Sequence, residues 1–364
     1  SNRGNCDSFL FFHLSCFLIP LKAATAPRIS SKRLALNYFD MNYKTQFGSL
    51  WPSIRISLLS EQKYGVLLNN YSDVESVTRD MEVLNAKGFN FESQKASELS
   101  SGAEAPAPSP TSTAISPNIQ CYTFPKGDIS RFPPLGVSHM MLSLSHSLPF
   151  GEPGSSMRLS SSQPPRAFLS ASALVSLAAG QVAANDISAS GTKRLGGVLH
   201  SYVPKELHKA VRVTSLDGRN WGKVEKETYD KVLVDVPCTP DRQCAMEEED
   251  NIFKRIRSQE RQMLPMLQMQ LLISGILAAK PGGEVVYSTC TLSQLQNEYI
   301  VERATELIEN QYSIGVRVEN CNHFRKLFHD TFSFSADCRL GELVLPHLTA
   351  NFGPVYFCKL QRVR

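Results

Sequence analysis

The stretch Tyr229-Asp-Lys-Val-Leu-Val-Asp235-Val-Pro-Cys238-Thr239 contains an apolar run that leads into an acid, a proline and a cysteine. A second stretch, Gly282-Gly-Glu-Val-Val-Tyr-Ser-Thr-Cys290-Thr291, has a similar form. Short unbroken apolar runs are typical of parallel strands that are buried on both faces. Ligands of open α/β sheets bind beyond the carboxyl ends of the strands. The two patterns therefore predict that Cys238, Cys290 and Asp235 meet in one cleft.

Cysteine usage limits the chemistry of this cleft. The chain has nine cysteines scattered over 364 residues, whereas a secreted disulfide framework is short, even in number and dense, so we expect reduced thiols. No Cys-x-x-Cys or His-x-x-x-His spacing occurs, and Cys238 and Cys244 are too far apart for a zinc knuckle, so we expect no metal. Either cysteine alone is more often an inert core residue. The pair at two strand ends favours a catalytic role.

The two cysteine motifs resemble those of the NOP/Sun family of RNA (cytosine-5) methyltransferases. The resemblance covers residues 34–137 and 183–364 and is strongest toward the branch that modifies mitochondrial ribosomal RNA. Outside the catalytic region it rests on segments such as Asn37-Tyr-Phe-Asp-Met, Phe47-Gly-Ser-Leu-Trp-Pro-Ser-Ile-Arg55 and Asn351-Phe-Gly-Pro. It implies an α/β fold, with a Rossmann-like class I methyltransferase sheet that has helices on both faces, and S-adenosylmethionine as the cofactor.

The resemblance also implies roles for the residues of the cleft. Cys290 is the expected nucleophile, whose thiolate adds to carbon 6 of cytosine and makes carbon 5 electron-rich, a form of covalent catalysis. Cys238 is expected to assist the later elimination that frees the methylated base. Asp235 is expected to contact both the base and the cofactor. The residue that activates the thiol is not identified by the sequence.

Two further acids are expected to bind the cofactor. Asp186 ends the strand-like run that begins at Gln181, and Asp217-Gly218 follows the run that begins at Val211. Acids at strand ends suit ribose hydroxyls in nucleotide-binding sheets. The family has a ribose ligand at the position of Asp186 and an adenine ligand at that of Asp217. For either acid alone, turn capping is the commoner explanation, but their repetition favours cofactor binding.

One segment departs from the family pattern. The resembling proteins carry a run Asp-Leu-Cys-Ala-Ala-Pro-Gly-Gly-Lys-Thr after the first strand, where glycines let the cofactor approach the backbone closely. Residues 138–182 stand in its place and contain 12 serines and a single acid, Glu152. Such a composition is typical of segments that need not pack. Gly191 is a second departure, since the family has an arginine there; Lys193 and Arg194 are its basic neighbours.

Composition divides the chain into regions. Five basic side chains and one acid in residues 1–39 resemble a mitochondrial transit peptide, although the apolar run over 9–21 looks more like a secretory core. A helix is predicted over Ser72–Asn85, capped by Ser72 or Asp73. The predicted regions are a leader or mispredicted N-terminus (1–33), a mainly helical region (34–93), a flexible linker (94–118) and the S-adenosylmethionine-dependent methyltransferase domain (119–364, with 138–182 anomalous).

Charge and missing motifs bound the function further. A hydrophobic fraction of 42% and a charged fraction of 20% are those of a soluble globular protein, and a net charge of +4 permits a polyanionic partner. Lys254, Arg255, Arg257 and Arg261 form a basic cluster that suits RNA phosphates or simply a solvated helix face. Dinucleotide-binding, phosphate-loop, hydrolase-elbow and His-Glu-x-x-His motifs are absent.

The resemblance implies a cellular setting as well. It places the protein in the mitochondrial matrix, acting on ribosomal RNA of the small subunit and supporting ribosome assembly. It also implies a helical-repeat partner of the transcription-termination-factor type that supplies RNA-binding surface. No membrane association is expected, because the run over 9–21 is too short and interrupted for a confident span. A thiol-redox protein using Cys238 and Cys290 is disfavoured by the lack of a Cys-x-x-Cys motif.

Two hypotheses explain residues 138–182. A shifted reading frame or mispredicted exon accounts for a divergence that ends sharply at Ala183. The alternative is a real loss of the cofactor loop, which leaves an inactive RNA-binding or scaffold protein. We expect translation of the gene in all three frames to recover an Asp-Leu-Cys-Ala-Ala-Pro-Gly-Gly-Lys-like run. If no frame contains such a run, the frame-error hypothesis is wrong.

Overall fold

The computed structural model describes residues 29–63, 65–68, 73–88, 121–123, 137–140, 156–160, 181–349 and 351–363. Nearly all of the expected leader, the expected linker and most of residues 138–182 therefore lie outside the described residues. The helices among them are α1 (Ser31–Phe47), α2 (Trp51–Leu59), α3 (Val74–Val83), α4 (Ala189–Tyr202), α5 (Trp221–Val224), α6 (Asp241–Met246), α7 (Ser258–Ala278), α8 (Glu298–Tyr312) and α9 (Asn322–Leu327).

The strands supply two sheets. Those described are β1 (Gly65–Leu68), β2 (Lys87–Gly88), β3 (Cys121–Thr123), β4 (Val137–Met140), β5 (Ser156–Ser160), β6 (Val182–Asp186), β7 (Val211–Thr214), β8 (Tyr229–Asp235), β9 (Ala279–Thr289), β10 (Val316–Val318), β11 (Ser333–Phe334), β12 (Glu342–Leu345) and β13 (Val355–Arg362). The larger sheet has the order β11-β12-β13-β9-β8-β5-β6-β7, with β10 paired to β13. The smaller one has the order β2-β3-β1-β4.

The larger sheet has a parallel half and an antiparallel edge. β9, β8, β5, β6 and β7 pair in parallel, and β13 and β12 add antiparallel partners. Parallel pairs need crossover connections, and α4 and α7 lie between successive parallel strands in the chain. The expected parallel strands of an α/β sheet are confirmed, and β12 and β13 extend them as an antiparallel edge.

The central strand of the sheet comes from the divergent segment. β5 lies between β6 and β8 and is parallel to both. The serine-rich composition of residues 138–182 predicts little packing, and the structure differs at this point. The strand sequence Ser156-Met-Arg-Leu-Ser160 alternates polar and apolar residues, which suits a strand. A five-residue alternation is hidden when the composition of 45 residues is averaged.

Side chains of the sheet alternate between two hydrophobic cores. Val232 and Val234 of β8 lie in the larger core with α7 and α8, whereas Leu233 between them lies in the second core with Phe324 of α9 and Phe328. Successive residues of a strand point to opposite faces, so both faces of this sheet are covered. Val182 of β6 packs with Leu199 and Val203, at the end of α4.

The N-terminal helices pack into the larger core. α1 buries a stripe of residues spaced by four, Ala35, Phe39, Tyr43 and Phe47, as expected for one face of a helix. Ser30 caps its start by accepting a hydrogen bond from the Arg33 amide. Tyr43 stacks on Phe39 with ring centroids 5.2 Å apart. The stripe belongs to the same core cluster as β8, β9 and α7.

Two predicted local features can be compared directly with the structure. The helix predicted over Ser72–Asn85 is α3, with Asp73 as its N-cap, whose side chain accepts a hydrogen bond from the Ser76 amide at 3.1 Å. The smaller sheet joins β1 and β2 to β3 and β4 across the predicted linker. Within the described ranges, no helix is long and apolar enough to cross a membrane.

Helix α7 offers a matched test of packing energy. Leu272 is fully buried (0% exposed), and Met263 on the same helix is 54% exposed. We expect Leu272→Ala to lower the free energy of unfolding by about 2–5 kcal/mol, because it removes buried methyl groups and leaves a cavity. Met263→Ala should change it by less than about 0.5 kcal/mol. Urea denaturation measures both; equal effects of the two variants would contradict the packing described for α7.

Candidate active site

The carboxyl ends of four adjacent strands bring polar residues into one row. Ser160 of β5 pairs in register with Asp186 of β6 on one side and with Asp235 of β8 on the other. Asp235 pairs in turn with Ser288 of β9. Because neighbouring strands are about 4.8 Å apart, the backbones at Asp186 and Asp235 are about 10 Å apart. The predicted meeting of strand-end acids in one crevice follows from this register.

The same register brings the two cysteines into contact. Cys238 lies three residues beyond Asp235, and Cys290 lies two residues beyond Ser288. Their Sγ atoms are 3.2 Å apart, and the Cys290 amide donates a hydrogen bond to the Cys238 sulfur at 3.3 Å. Cys238 is buried, and Cys290 is partly exposed. Cys290 is therefore the more exposed residue of the pair.

Asp235 lies beside the sulfur pair at the end of β8. It is buried, and the Ser288 hydroxyl donates to its Oδ1 at 3.4 Å. Asp235 is one of the charged groups that act with burial to raise the pKa of Tyr287. The structure brings Asp235, Cys238 and Cys290 together, as the sequence predicts, although their roles stay predictions.

Asp186 faces the start of α4. Its Oδ1 accepts hydrogen bonds from the amide and the hydroxyl of Ser188, at 2.8 and 2.9 Å. A Cβ added to Gly191 would lie only 2.2 Å from the Asp186 carboxyl carbon. A side chain at residue 191 would therefore clash with the Asp186 carboxyl group. The observed position of Asp186 requires glycine at residue 191. The arginine expected from the family has no room in this arrangement.

Asp217 and Gly218 lie at the next strand end. Asp217 caps the short 3₁₀ turn Gly218–Asn220 and accepts two hydrogen bonds from the Arg219 guanidinium, at 2.6 and 3.0 Å. This contact holds the pKa of the Asp217 carboxyl below its usual range, so the group is ionised at neutral pH. The turn-capping explanation holds for Asp217. Cofactor binding by Asp217 stays a prediction, with which an ionised carboxylate is compatible because it accepts hydrogen bonds.

The polar groups of this crevice fit the chemistry of S-adenosylmethionine. The ribose hydroxyls and the adenine amine are hydrogen-bond donors, and Asp186, Asp217 and Asp235 are carboxylate acceptors on three strand ends. The backbone that follows β5, where the family has its glycine-rich turn, belongs to residues 161–180, outside the described residues. The fit therefore rests on the carboxylates.

A buried polar network lies behind the cysteines. Asp241, fully buried, accepts hydrogen bonds from the Leu292 amide at 2.7 Å, the Thr291 hydroxyl at 3.0 Å and the Tyr43 hydroxyl at 3.0 Å. Burial raises the pKa of Asp241 to about 8, while these three donors act in the opposite direction. Tyr43 is also buried, and burial together with Asp241 raises its pKa well above the usual value.

A second part of the network links the two cysteine loops. The Thr239 hydroxyl lies 3.1 Å from that of Thr291, and the Gln296 side-chain amide donates to Thr239 at 2.8 Å. Gln268 of α7 donates both to the Pro237 carbonyl at 2.7 Å and to Gln296 at 3.0 Å. These contacts fix the loop after β8 to the loop after β9.

Sequence reasoning did not identify Tyr43 or Asp241 as site residues. Asp241 follows a proline at the start of a short helix, where an acid normally interacts with the helix terminus. Tyr43 belongs to an apolar stripe and is indistinguishable from core residues by spacing. The only sequence feature that could have indicated a role for Asp241 is its position three residues after Cys238. Tyr43 lies 198 residues from Asp241, and no sequence pattern indicates their contact.

The structure also shows the surroundings of the predicted basic cluster. Arg257 pairs with Glu260 at 2.7 Å, and the Arg261 guanidinium lies 4.6 Å from the centre of the Phe253 ring. Two members of the basic cluster therefore have partners within the protein, while Arg255 is exposed. In the part of the chain that the structure describes, no group of three or more His, Cys, Asp or Glu residues could hold a metal ion.

Comparison with known proteins gives the family. Residues 170–336 match the family model described as 16S rRNA methyltransferase RsmB/F. The bovine protein 5-cytosine rRNA methyltransferase NSUN4 is 52% identical over 94% of this chain and 92% of its own length. The chain belongs to the RsmB/F family of RNA methyltransferases. The resemblance carried by the Cys238 and Cys290 motifs is confirmed, and so is S-adenosylmethionine as the cofactor.

Other similar proteins support the same family and fold. The zebrafish mitochondrial tRNA (cytosine(34)-C(5))-methyltransferase is 30% identical over 90% of this chain and 87% of its own length. A solved methyltransferase homologue from Pyrococcus horikoshii has a TM-score of 0.54 at 16% identity, covering 92% of this chain and 99% of that structure. The expected class I methyltransferase fold of this RsmB/F protein is confirmed.

The raised pKa of Asp241 predicts a pH dependence of stability. Between its ordinary value of 3.8 and about 8, the folded state holds a proton that the unfolded state releases, so stability falls as pH rises through this window. Asp241→Asn cannot titrate. We expect the stability of the wild type relative to this variant to decline from pH 5 to about 8 and then level off.

Urea denaturation at a series of pH values measures this difference. Asp217→Asn is the matched control, because the pKa of Asp217 lies below 3.8 and its contribution is constant above pH 5. Parallel pH profiles of the wild type and Asp241→Asn would show that residue 241 keeps an ordinary pKa.

Proposed function

We propose that this RsmB/F protein is a 5-cytosine ribosomal-RNA methyltransferase that works through a covalent bond between Cys290 and the target base. The observation that carries the proposal is the contact of the Cys290 and Cys238 sulfurs, 3.2 Å apart, at the end of the crevice that contains Asp235. The relative named 5-cytosine rRNA methyltransferase supports the choice of base and of RNA class.

The chemistry explains why a nucleophile is needed. Carbon 5 of cytosine is a poor nucleophile, so a bond from the Cys290 sulfur to carbon 6 forms first and the electron pair of the ring double bond moves to carbon 5. The cofactor supplies a methyl group on a positively charged sulfur. After carbon 5 has taken the methyl group, it loses its proton to a base, the sulfur–carbon bond breaks, and the double bond returns. Nucleophilic catalysis thus divides one difficult step into easier ones.

The three residues of the cleft have separate roles in this proposal. Cys290, partly exposed, attacks the base. Cys238, whose sulfur lies 3.2 Å from that of Cys290, assists the final elimination, in which the Cys290 sulfur leaves carbon 6. Asp235 accepts a hydrogen bond from the base, and its neighbour Ser288 keeps the carboxylate oriented. Asp186 holds the ribose and Asp217-Gly218 holds the adenine end of the cofactor.

The organisation and the setting of the protein are part of the proposal. Residues 119–364 are the catalytic domain, joined by a linker over 94–118 to a mainly helical region over 34–93, and residues 1–33 precede them. The protein acts in the mitochondrial matrix on small-subunit ribosomal RNA and supports ribosome assembly. A relative with a mitochondrial name supports the compartment. A helical-repeat partner supplies further RNA-binding surface, which residues such as Arg255 extend.

A second candidate function rests on one observation. The sequence after β5, Ser161-Ser-Gln-Pro-Pro-Arg166, has none of the glycines that the family places near the cofactor. A chain without that turn keeps the cysteine pair and the exposed Arg255 of the basic cluster but binds the cofactor poorly. It would then act as an RNA-binding scaffold in the same assembly.

Trapping of the covalent adduct tests the proposal. With substrate RNA and S-adenosylmethionine, we expect Cys238→Ala to accumulate protein joined to RNA, because the adduct through Cys290 forms but does not resolve. Denaturing gels detect it. The double variant Cys238→Ala, Cys290→Ala should form none, and Cys321→Ala, which alters a partly exposed cysteine elsewhere, should behave as the wild type.

Two outcomes would contradict the proposal. Equal trapping by Cys238→Ala and by the double variant would show that Cys290 is not the nucleophile. RNA that binds all variants equally without any adduct or methylation would favour the scaffold function.

A further inference from the structure

Helix α1 reaches the catalytic cysteines through buried polar contacts that the proposed reaction does not use. We propose that Tyr43, Asp241 and Thr291 form a positioning network through which α1 sets the place of the Cys290 sulfur. The inference rests on Cys290 being the nucleophile. It assigns the N-terminal helix to the catalytic machinery, in addition to any contact with RNA.

The first argument is the position of Asp241 between the two cysteine loops. It lies three residues after Cys238, and its side chain binds the two residues that follow Cys290, namely the Thr291 hydroxyl and the Leu292 amide. Its own amide donates to the Cys290 carbonyl at 3.4 Å. Asp241, the first residue of α6, therefore holds the backbone directly after the Cys290 Cα atom, at the Cys290 carbonyl and the Leu292 amide.

The second argument is that the hydrogen bonds form one directed chain. Where the Thr291 hydroxyl donates to Asp241, it accepts from Thr239, whose oxygen in turn accepts from the Gln296 amide. The Ser293 amide also donates to Thr291, at 3.2 Å. Each hydroxyl has a defined partner, and a buried network that is satisfied in this way specifies one arrangement.

The third argument is the rigidity of Tyr43. It is buried, and its ring packs against Phe39 and Trp51, with centroids 5.2 and 5.3 Å away. Its hydroxyl reaches both Asp241 at 3.0 Å and Thr291 at 3.2 Å. Gln46, one turn further along α1, donates to the Leu292 carbonyl at 2.8 Å. The helix thus contacts the Cys290 loop at two successive turns.

The residue after Asp241 strengthens the same junction. The Arg242 guanidinium donates to the carbonyls of Ser57 and Ser60 at the end of α2, at 2.9 and 3.0 Å. Carbonyls at a helix end lack partners within the helix, so a guanidinium there is well placed. Asp241 and Arg242, the first two residues of α6, therefore bind α1 and α2 respectively.

Burial excludes a direct role for this network in the reaction. Asp241 and Thr291 are 0% exposed and Tyr43 is 1% exposed, so none of them reaches a bound base. They are positioning residues, which act through the geometry of Cys290. A misplacement of about 1 Å in a reacting group lowers a rate by roughly a hundredfold.

The test compares near-isosteric variants of the full chain. Thr291→Val and Tyr43→Phe remove one hydroxyl each. We expect both to lower kcat for RNA methylation roughly ten- to a hundredfold with little change in KM for RNA. Thr291→Ser restores the hydroxyl and should recover at least half of the wild-type rate. Tyr38→Phe is the matched control on α1, since the Tyr38 hydroxyl makes no hydrogen bond to the described residues, and its kcat should stay within about twofold.

A second measurement needs neither cofactor nor RNA. The rate of Cys290 alkylation by iodoacetamide, followed by mass spectrometry over a pH series, reports the placement and the ionisation of this thiol. We expect Thr291→Val and Tyr43→Phe to alter its rate or its pH midpoint and Tyr38→Phe to leave both unchanged.

The outcomes separate this inference from the proposed function. If Cys290→Ala still methylates RNA, the proposed function fails, while the alkylation profiles still report on positioning. Folded Thr291→Val and Tyr43→Phe proteins with wild-type kcat and a wild-type alkylation profile would overturn the inference. So would a loss that Thr291→Ser does not recover.

Discussion

The pairing of β8 with β9 is the contact on which the site depends. Asp235 and Ser288 are in register at the carboxyl ends of these strands, and the chain then runs two or three further residues to each cysteine. A shift of one residue would turn every side chain of a strand to the opposite face. The larger core contains Val232 and Val234 of β8 and Val285 and Tyr287 of β9. A slip of one residue would move the side chains of one strand out of this core to the opposite face of the sheet. Hydrophobic packing therefore sets the distance between the two sulfurs.

Buried polar contacts complete what the hydrophobic core begins. Apolar packing is not directional, so it can place a strand but leaves the loops beyond it free to vary. Hydrogen bonds have strict geometry, and a buried partner left unpaired costs about 1–3 kcal/mol. The contacts of Asp241, Thr291 and Gln296 thus penalise other loop conformations. The network also explains why a carboxyl group remains in a core where desolvation disfavours its charge.

The sequence predicted the elements better than their meeting points. Apolar runs identified β6, β8 and β9, and the acids and cysteines at their ends identified most of the crevice, because period and position along one strand are local properties. Tyr43 lies 198 residues from Asp241 in the chain, and no local pattern reports such a contact. β5 was hidden for a different reason, since its five residues lie within a segment whose average composition opposes packing.

The position of β5 also determines what the crevice can hold. It lies between β6 and β8, so the chain that leaves it at Ser160 starts midway between Asp186 and Asp235. A cofactor that spans these two acids must pass the backbone at this point, and a close approach there requires residues with small side chains. In the proposed function the carboxylates bind the cofactor by hydrogen bonding, and the residues that follow Ser160 limit how closely it can approach the backbone. The proposed binding of S-adenosylmethionine thus depends on two separate parts of the chain, the strand-end acids and the residues after Ser160, and the cysteine motifs include only Asp235 of these.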